Sequence, residues 1–381
     1  MRRALGLAEQ ALGWCSPNPA VGAVLVQGDE VVGEGFTQPP GSAHAEVVAL
    51  DRAGQRARGA TLYVTLEPCS HQGRTPPCTD ALIAAGVADV RVATLDPSPW
   101  VNGSGIQRLR DAGLPVAVGE REQEAARLNE AYFKWVAVRR PFVTLKYAMT
   151  ADGKSATRTR SSRWITGTES REYVALLRSK VDAVLVGIGT VVADDPELTA
   201  RPMLAEGQRD HPVHQPLRVI VDSAASIPLD ARVVADQSTA RTLVCTTERA
   251  SGEKLERLAG CGVETLVVGS RNRKVDIMDL MRALGERGVV SVLAEPGGTL
   301  AAGLLDAGAV DKILAFVAPK VAGGVSAPGP VGGEGITSMG EALELIDTAW
   351  TLMGRDVLLT GYVRKERPIG SQEAPDVFGN S

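Results

Sequence analysis

Only five cysteines occur in 381 residues, an odd number. Such a set excludes a secreted disulfide scaffold and suits a reducing compartment. No run of Lys and Arg forms a nucleic-acid footprint, and the formal net charge is −4. That weighs against an enzyme that grips a polynucleotide, although a few placed arginines would still hold one phosphate. No apolar stretch approaches about 18 residues, so no membrane span is expected. Residues 2–13 read as a helix without the apolar core of a signal peptide. A cytoplasmic protein acting on a small molecule is therefore expected. No internal repeat relates the two halves. What is present is ordinary: 44% hydrophobic and 23% charged residues, enough for a sizeable core in two or three domains.

The first part alternates short strands and helices. Residues 20–26 and 31–35 are strand-like and join at Gly28-Asp29 as a hairpin. Residues 44–53 suit a helix ended by Gly54. Residues 60–66 read as a buried strand, 78–85 as a short helix, and 89–95 and 114–118 as strands. Residues 120–138 read as one amphipathic helix with Leu128, Tyr132, Trp135 and Val136 on a single face. Arg139-Arg140-Pro141 ends it and marks the domain boundary. Beyond it, strands are expected at 142–148, 182–187, 217–222, 242–246, 263–268, 289–294 and 311–317. Helices are expected at 168–179, 251–259, 275–286 and 299–307. Interleaved strands and helices imply α/β layers in both parts. Residues 201–216 and 322–340 read as surface loops. The division is 1–140, 141–365 and a tail, 366–381, expected to be mobile.

Three pieces of sequence fit one metal site: His44-Ala45-Glu46, Pro68-Cys69 and Cys78. One imidazole, two thiolates and a carboxylate that need not bind metal form the donor set of a zinc with an open fourth position. H-x-E followed by P-C and a second Cys is also the pattern of zinc deaminases. If His44 opens a helix, Glu46 lies in its first turn and can face the water on the metal. A thiolate at Cys78 is favoured by the helix dipole and by the metal charge. Zinc lowers the pKa of a bound water to roughly 7. Glu46 would take that proton and pass it to a ring nitrogen, then to the leaving amine. One zinc per chain, with Glu46 catalytic, is the expectation. The bland alternatives are an accidental H-x-E, two core cysteines, or a structural zinc with His71 as a fourth ligand. The order of the motifs, H-x-E after a hairpin and P-C after a strand, favours catalysis. Cys15, Cys245 and Cys261 are expected to be reduced, partly buried thiols.

Eight residues separate Cys69 from Cys78, against the two of cytidine and transfer-RNA deaminases. The run Thr65-Leu66-Glu67-Pro68-Cys69-Ser70-His71-Gln72-Gly73-Arg74-Thr75-Pro76-Pro77-Cys78 follows Pro17-Asn18-Pro19-Ala20-Val21-Gly22. After it come Asp96-Pro97, Asn102-Gly103-Ser104-Gly105 and Leu128-Asn129. On these residues the chain closely resembles the bifunctional deaminase/reductases of riboflavin biosynthesis. The likeness continues through Lys146-Tyr147-Ala148-Met149-Thr150-Ala151-Asp152-Gly153-Lys154, Trp164-Ile165-Thr166 and Gly189-Thr190-Val191. Asp194-Asp195-Pro196, Leu198-Thr199-Ala200-Arg201, Val221-Asp222-Ser223 and Glu295-Pro296-Gly297-Gly298-Thr299-Leu300 follow in order, so it covers residues 3–363. Two departures stand out: Ala151 where the family has a bulky apolar residue, and Pro296, which restricts the backbone before the glycines.

The resemblance implies an N-terminal cytidine-deaminase-like three-layer domain and a C-terminal dihydrofolate-reductase-like α/β domain. It implies zinc-dependent deamination of 2,5-diamino-6-(5-phosphoribosylamino)pyrimidin-4(3H)-one. NADPH reduction of the ribosyl group would then give 5-amino-6-(5-phosphoribitylamino)uracil. A nucleoside or transfer-RNA deaminase with an unrelated C-terminal domain is the competing enzyme; a non-catalytic zinc-stabilised scaffold is the competing class.

Asn18 is a candidate for the pyrimidine edge, or else a turn residue between two prolines. His71 and Arg74 could contact the substrate, or else lie in a solvated loop. In the reductase the resemblance implies Ser162, Arg178, Leu198, Arg201, Ser223 and Glu295 at the substrate, with the arginines on its phosphate. It implies Met149, Trp164, Thr190, Asp194, Gly297, Gly298 and Thr299 at the cofactor. The Gly297-Gly298-Thr299 turn would cradle pyrophosphate at a helix start. Asp194 and Lys146 are expected to be catalytic, Asp194 by protonating or stabilising the centre that receives the hydride. Against this, Arg178 could be a dipole-compensating charge and Asp194-Asp195-Pro196 an exposed turn. Gly187-Ile188-Gly189 imitates a dinucleotide fingerprint but has Val192 at the third glycine position. No 2′-phosphate clamp is evident, so NADPH over NADH rests on the resemblance. A homo-oligomer is expected, with no nucleic-acid or membrane partner.

Overall fold

A computed structural model of the protein describes residues 1–73, 76–202 and 212–364. Two compact units divide at Arg139 and Arg140. The expected tail, 366–381, and part of the expected loop at 201–216 lie outside the described residues.

The first unit holds strands β1 (Gly22–Gln27), β2 (Glu30–Phe36), β3 (Thr61–Leu66), β4 (Asp89–Thr94) and β5 (Val116–Val118). They form one sheet in the order β2-β1-β3-β4-β5. β1 pairs antiparallel with β2 and β3, while β3, β4 and β5 run parallel. Its helices are α1 (Arg2–Ala11), α2 (Ala45–Ala53), α3 (Cys78–Ala85), α4 (Ser104–Asp111), α5 (Glu122–Leu128) and α6 (Glu130–Val138). Residues directly opposed in an antiparallel pair share a face. Gly22 opposes Phe36, and its neighbour Ala23 opposes Gly35, so the two glycines lie on opposite faces. Each admits a helix backbone. A Cβ on Gly22 would lie 1.9 Å from the Ala4 carbonyl of α1, and one on Gly35 would lie 2.4 Å from the Ala45 carbonyl of α2. Helices therefore cover both faces, giving three layers. The buried Ala45, Ala49 and Ala53 form the i, i+4 stripe that lets α2 settle close to the sheet.

One helix over 120–138 is not what forms. α5 and α6 meet at Asn129, which leaves helical geometry at φ −103°, ψ 15°. The reason is a competing pair of hydrogen bonds. Asn129 Nδ2 donates to the Ala20 carbonyl at 3.0 Å, and Ala20 N–H donates to Asn129 Oδ1 at 2.9 Å. The buried residues are Ala125, Ala126, Asn129 and Phe133, not the expected Leu128, Tyr132, Trp135 and Val136, which are half-buried. The sequence reading also lacked α4.

The second unit contains β6 (Phe142–Thr150), β7 (Ala183–Gly187), β8 (Leu217–Val221), β9 (Thr242–Thr246) and β10 (Glu264–Val267). β11 (Ser270–Arg271), β12 (Lys274–Val275), β13 (Ser291–Ala294), β14 (Lys312–Ala318), β15 (Leu345–Met353) and β16 (Asp356–Val363) follow. Its helices are α7 (Thr168–Arg178), α8 (Ile188–Asp194), α9 (Arg232–Ala235), α10 (Gly252–Gly260), α11 (Ile277–Glu286) and α12 (Gly298–Asp306). Nine strands make one sheet in the order β10-β9-β8-β7-β13-β6-β14-β16-β15, with β11 and β12 a separate hairpin. From β10 to β14 every pairing is parallel. The strands are buried on both faces: Leu185 and Val219 enter one core cluster, Val184 and Ile220 another. That explains why they read as continuous apolar runs. The sequence reading lacked α8, α9, the β11–β12 hairpin, and β15 with β16.

Cys15 and Cys245 are fully buried and Cys261 is exposed, so the expectation of three partly buried thiols is corrected. No described helix is long and apolar enough to cross a membrane. Replacing Asn129 with Ala should lower the stability of the first unit by about 2–4 kcal/mol, because both Ala20 backbone groups stay buried without partners. A lowered urea midpoint for that unit checks this.

A candidate metal centre and a candidate cofactor cleft

His44 precedes α2 with extended backbone, and Glu46 lies in the first turn of that helix. Cys69 follows β3 and Cys78 opens α3. His44 Nδ1 lies 3.1 Å from Cys78 Sγ and 3.6 Å from Cys69 Sγ. Cys78 N–H donates to Cys69 Sγ at 3.4 Å. The three donor atoms all lie within 4.8 Å of one another. His71 is exposed and stands outside this group. Among the described residues the group has three protein donors rather than four, the composition of a catalytic zinc, since structural sites are closed. Hydrogen bonding from Cys78 and His44 lowers the Cys69 thiol below its ordinary value, against the burial that would raise it. Glu46 is 4% exposed. Burial and the neighbouring Cys69 push its carboxyl up to about 7, within the range useful for proton transfer.

The Cys69 loop is held from beneath by Glu67. This buried carboxylate accepts N–H bonds from Gly103 (2.9 Å), Gly105 (2.9 Å), Ile106 (3.3 Å) and Asp96 (3.4 Å). It thereby caps the start of α4, where an anion suits the helix dipole. A Cβ on Gly105 would lie 1.9 Å from the Pro68 carbonyl. The Asn102-Gly103-Ser104-Gly105 motif thus seats the metal loop by close backbone approach. Asp96 is buried too, and burial pushes its carboxyl up to about 6 despite bonds from Ser98 N–H at 2.8 Å and Tyr132 Oη at 3.3 Å. The sequence reading gave Glu67 and Asp96 no role, although an acid immediately before Pro-Cys was visible. Asn18 is half-buried and its N–H donates to the Cys15 carbonyl at 2.9 Å. Arg74 lies outside the described residues. Gly105→Ala should displace the Cys69 loop and weaken zinc retention by about 10- to 100-fold, the size seen when outer support of a ligand is lost. Metal content after dialysis against a graded chelator measures it.

In the second unit a cleft of about 1120 Å³ lies beside the ends of β7, β8 and β13. Ser162, Thr190, Asp194 and Ser223 line it, with the Gly297-Gly298-Thr299 turn at the start of α12. Ser162 Oγ donates to Asp194 Oδ1 at 3.3 Å, and Arg163 donates to the Asp194 carbonyl. Lys146, Arg178 and Glu295 form a separate buried cluster. Arg178 Nε and its Nη2 donate to the two Glu295 oxygens at 2.7 and 3.1 Å, and Lys146 Nζ lies 3.5 Å from Oε2. Burial alone would raise the Glu295 carboxyl; the two cations outweigh it and hold it at about 2. Arg178 is thus oriented by the Glu295 carboxylate. Arg201 likewise pairs with Glu197, which also takes Arg232. The Leu198 side chain is 2% exposed and packs in the core with Val191, Ile220 and Ile227, so only its backbone can meet a ligand. Trp164 is exposed, with Arg171 4.9 Å from its ring centroid. Met149 sits on β6 opposite Val317. Neither lines the cleft.

The profile described as the RibD C-terminal domain matches residues 141–359. That described as the cytidine and deoxycytidylate deaminase zinc-binding region matches residues 1–94. The riboflavin biosynthesis protein RibD of Synechocystis is 47% identical over 365 residues, which is 95% of each chain. The chain belongs to the RibD family. The Escherichia coli RibD is 42% identical over 328 residues, 85% of this chain and 88% of that one. Among solved structures, Acinetobacter baumannii RibD superposes with a TM-score of 0.83 at 37% identity, covering 96% of this chain and 98% of that one. A Thermotoga maritima diaminohydroxyphosphoribosylaminopyrimidine deaminase/5-amino-6-(5-phosphoribosylamino)uracil reductase gives 0.81 at 35% identity, covering 96% and 97%.

As in RibD proteins, then, a zinc-binding deaminase domain precedes a dihydrofolate-reductase-like reductase domain, and the chain is a bifunctional enzyme of riboflavin biosynthesis. A deaminase with an unrelated C-terminal domain is set aside, because the second unit is itself the RibD C-terminal domain. In this RibD chain the ion cluster also sets a pH dependence. The depressed Glu295 carboxyl contributes stability that is present above its ordinary value of 4.5 and lost as pH falls through about 2. Glu295→Gln should cost about 3–5 kcal/mol near neutrality by leaving two buried cations unpaired. The gap to the unmutated protein should narrow between pH 4.5 and 2, as urea melts across that range would report.

Proposed function

We propose that the first unit deaminates 2,5-diamino-6-(5-phosphoribosylamino)pyrimidin-4(3H)-one. The second unit then reduces its ribosyl group with NADPH to 5-amino-6-(5-phosphoribitylamino)uracil. The observation that carries the first step is the convergence of His44 Nδ1, Cys69 Sγ and Cys78 Sγ beside a buried Glu46. One imidazole and two thiols suit zinc, and these three residues would hold one ion per chain. Bound there, zinc supplies Lewis acidity that brings a water into the neutral titration range. Glu46 would take a proton from the attacking water and deliver it to the pyrimidine ring nitrogen, then take the second proton from the added hydroxyl and give it to the departing amine. Water and the amino-substituted ring become the carbonyl and ammonia, so atoms balance. Asn18 orients the pyrimidine edge, and His71 with Arg74 serves the substrate's outer end.

In the second unit NADPH supplies the hydride. The turn at Gly297, Gly298 and Thr299 presents backbone N–H groups to pyrophosphate at the start of α12. Thr190 serves the cofactor from the lining of the cleft. Asp194, which accepts a hydrogen bond from Ser162, serves the acceptor centre at ribosyl C1′. Lys146 and Arg178 fix Glu295 at the substrate rim. Arg201 and the Leu198 backbone complete the substrate side. The likeness to RibD proteins and the cleft beside Asp194 support this reading. On this reading the enzyme works in the cytoplasm as a homo-oligomer.

Glu46→Gln should keep one zinc per chain and lose deamination by about a thousandfold or more, the scale of a lost general acid–base group. It should still reduce the deaminated intermediate at the normal rate. Metal analysis with separate assays of the two steps decides; undiminished deamination would remove Glu46 from the mechanism.

A further inference from the structure

The β11–β12 hairpin, whose two-residue strands carry no alternation, closes one side of the cofactor cleft. Arg271 and Lys274 both line that cleft. They are directly opposed in the antiparallel register, so their side chains share a face of the ribbon. Asn272 and Arg273 between them have φ of 52° and 63°. Two successive left-handed residues make the tight turn that suits a two-residue hairpin loop. The hairpin is fastened at both ends. Val275 N–H donates to Ser223 Oγ at 3.0 Å, Arg249 donates to the Arg273 carbonyl at 2.9 Å, and Ser270 Oγ donates to Glu248 at 2.9 Å. Ser223, assigned to substrate from the sequence, is thus the peg that seats this hairpin at the end of β8.

Like charges directly opposed on a ribbon repel one another. Among the described residues neither Arg271 nor Lys274 takes part in an ion pair. The acidic groups lining the same cleft are otherwise placed: Asp194 receives Ser162, and Asp276 caps α11 by accepting from Met278 and Asp279 N–H. Asp306 closes the far end of α12. Two fastened cations facing one cavity with no acid between them make a site for a doubly charged anion.

Its position identifies that anion. The Gly297-Gly298-Thr299 turn follows β13 and Ser223 follows β8, with β7 between them in the sheet. Two strand spacings are about 10 Å, a reach that one nucleoside spans. Taking the nicotinamide dinucleotide of the proposed reading as given, its pyrophosphate at the turn sets the adenosine ribose near the hairpin. We propose that Arg271 and Lys274 clasp the 2′-phosphate of that ribose, so that the β11–β12 hairpin sets the preference for NADPH over NADH. Arg271 offers a planar fork and Lys274 a point charge, and both act on a group that NADH lacks.

The test is calorimetric titration of the full-length protein with 2′,5′-ADP and with 5′-ADP, alongside reductase kinetics with NADPH and NADH. The unmutated protein should bind 2′,5′-ADP at least about tenfold more tightly than 5′-ADP, the scale of one charge-assisted contact. Arg271→Ala and Lys274→Ala should each remove most of that difference and leave 5′-ADP binding unchanged. Their KM for NADPH should rise while kcat and the KM for NADH stay constant, and Arg271→Lys should restore part of the loss. Equal weakening of both nucleotides, or no change in either, overturns the clamp while leaving the reductase reading intact. If the unmutated protein binds neither nucleotide and oxidises neither NADPH nor NADH, the nicotinamide reading itself fails, and the clamp with it.

Discussion

Four backbone N–H groups converge on one buried carboxylate, that of Glu67. The deaminase centre depends on this capture. Cys69 sits two residues beyond Glu67 on a loop that no regular element supports. Without an anchor, the position of its sulfur would follow solvent fluctuation. Glu67 converts the exposed start of α4 into a clamp, and Gly105 lets that helix reach the Pro68 carbonyl directly. On the other side of the centre, Gly35 lets α2 descend onto the sheet and bring His44 and Glu46 with it. Close backbone approach, bought by missing side chains, is what sets donor spacing within 4.8 Å.

The second unit solves a different problem. Its parallel strands leave a cleft at their ends that is lined by charges of both signs. Arg178 and Lys146 share Glu295, so their cluster keeps one net positive charge at low desolvation cost. Arg201 and Arg232 share Glu197 on the surface. Among the described residues the cations that line the cleft without an ion pair are Arg160 and, on the hairpin, Arg271 and Lys274. Charge is thus neutralised where it shapes the fold and left open where a phosphate would enter.

Most elements were legible from the chain because their signals are local. The hairpin at Gly28, the stop at Gly54 and the apolar runs of β7, β8 and β9 depend on residues within one element. What was not legible shares a cause: it depends on partners distant in the chain. Asn129 reads as an unremarkable helix residue until Ala20, distant in sequence, is placed beside it. Leu198 reads as a ligand contact by likeness, yet its side chain is core. Arg178 reads as a phosphate binder, and its partner Glu295 lies 117 positions away. The β11–β12 hairpin was missed because each strand has two residues, too few to show alternation.

The residue types and order of the chain alone determined the chemistry: H-x-E, P-C and a later Cys supply a nitrogen, two sulfurs and a proton carrier, and donor identity does not depend on folding. They also determined two α/β units, since periodicity is a property of neighbouring residues. Only the tertiary structure decided which charges are free and which are spent. An ion pair or a cap is made across the fold, between side chains that sequence separation does not relate. So Glu67 became an anchor, Arg178 half of a buried pair, and Arg271 with Lys274 an open clasp.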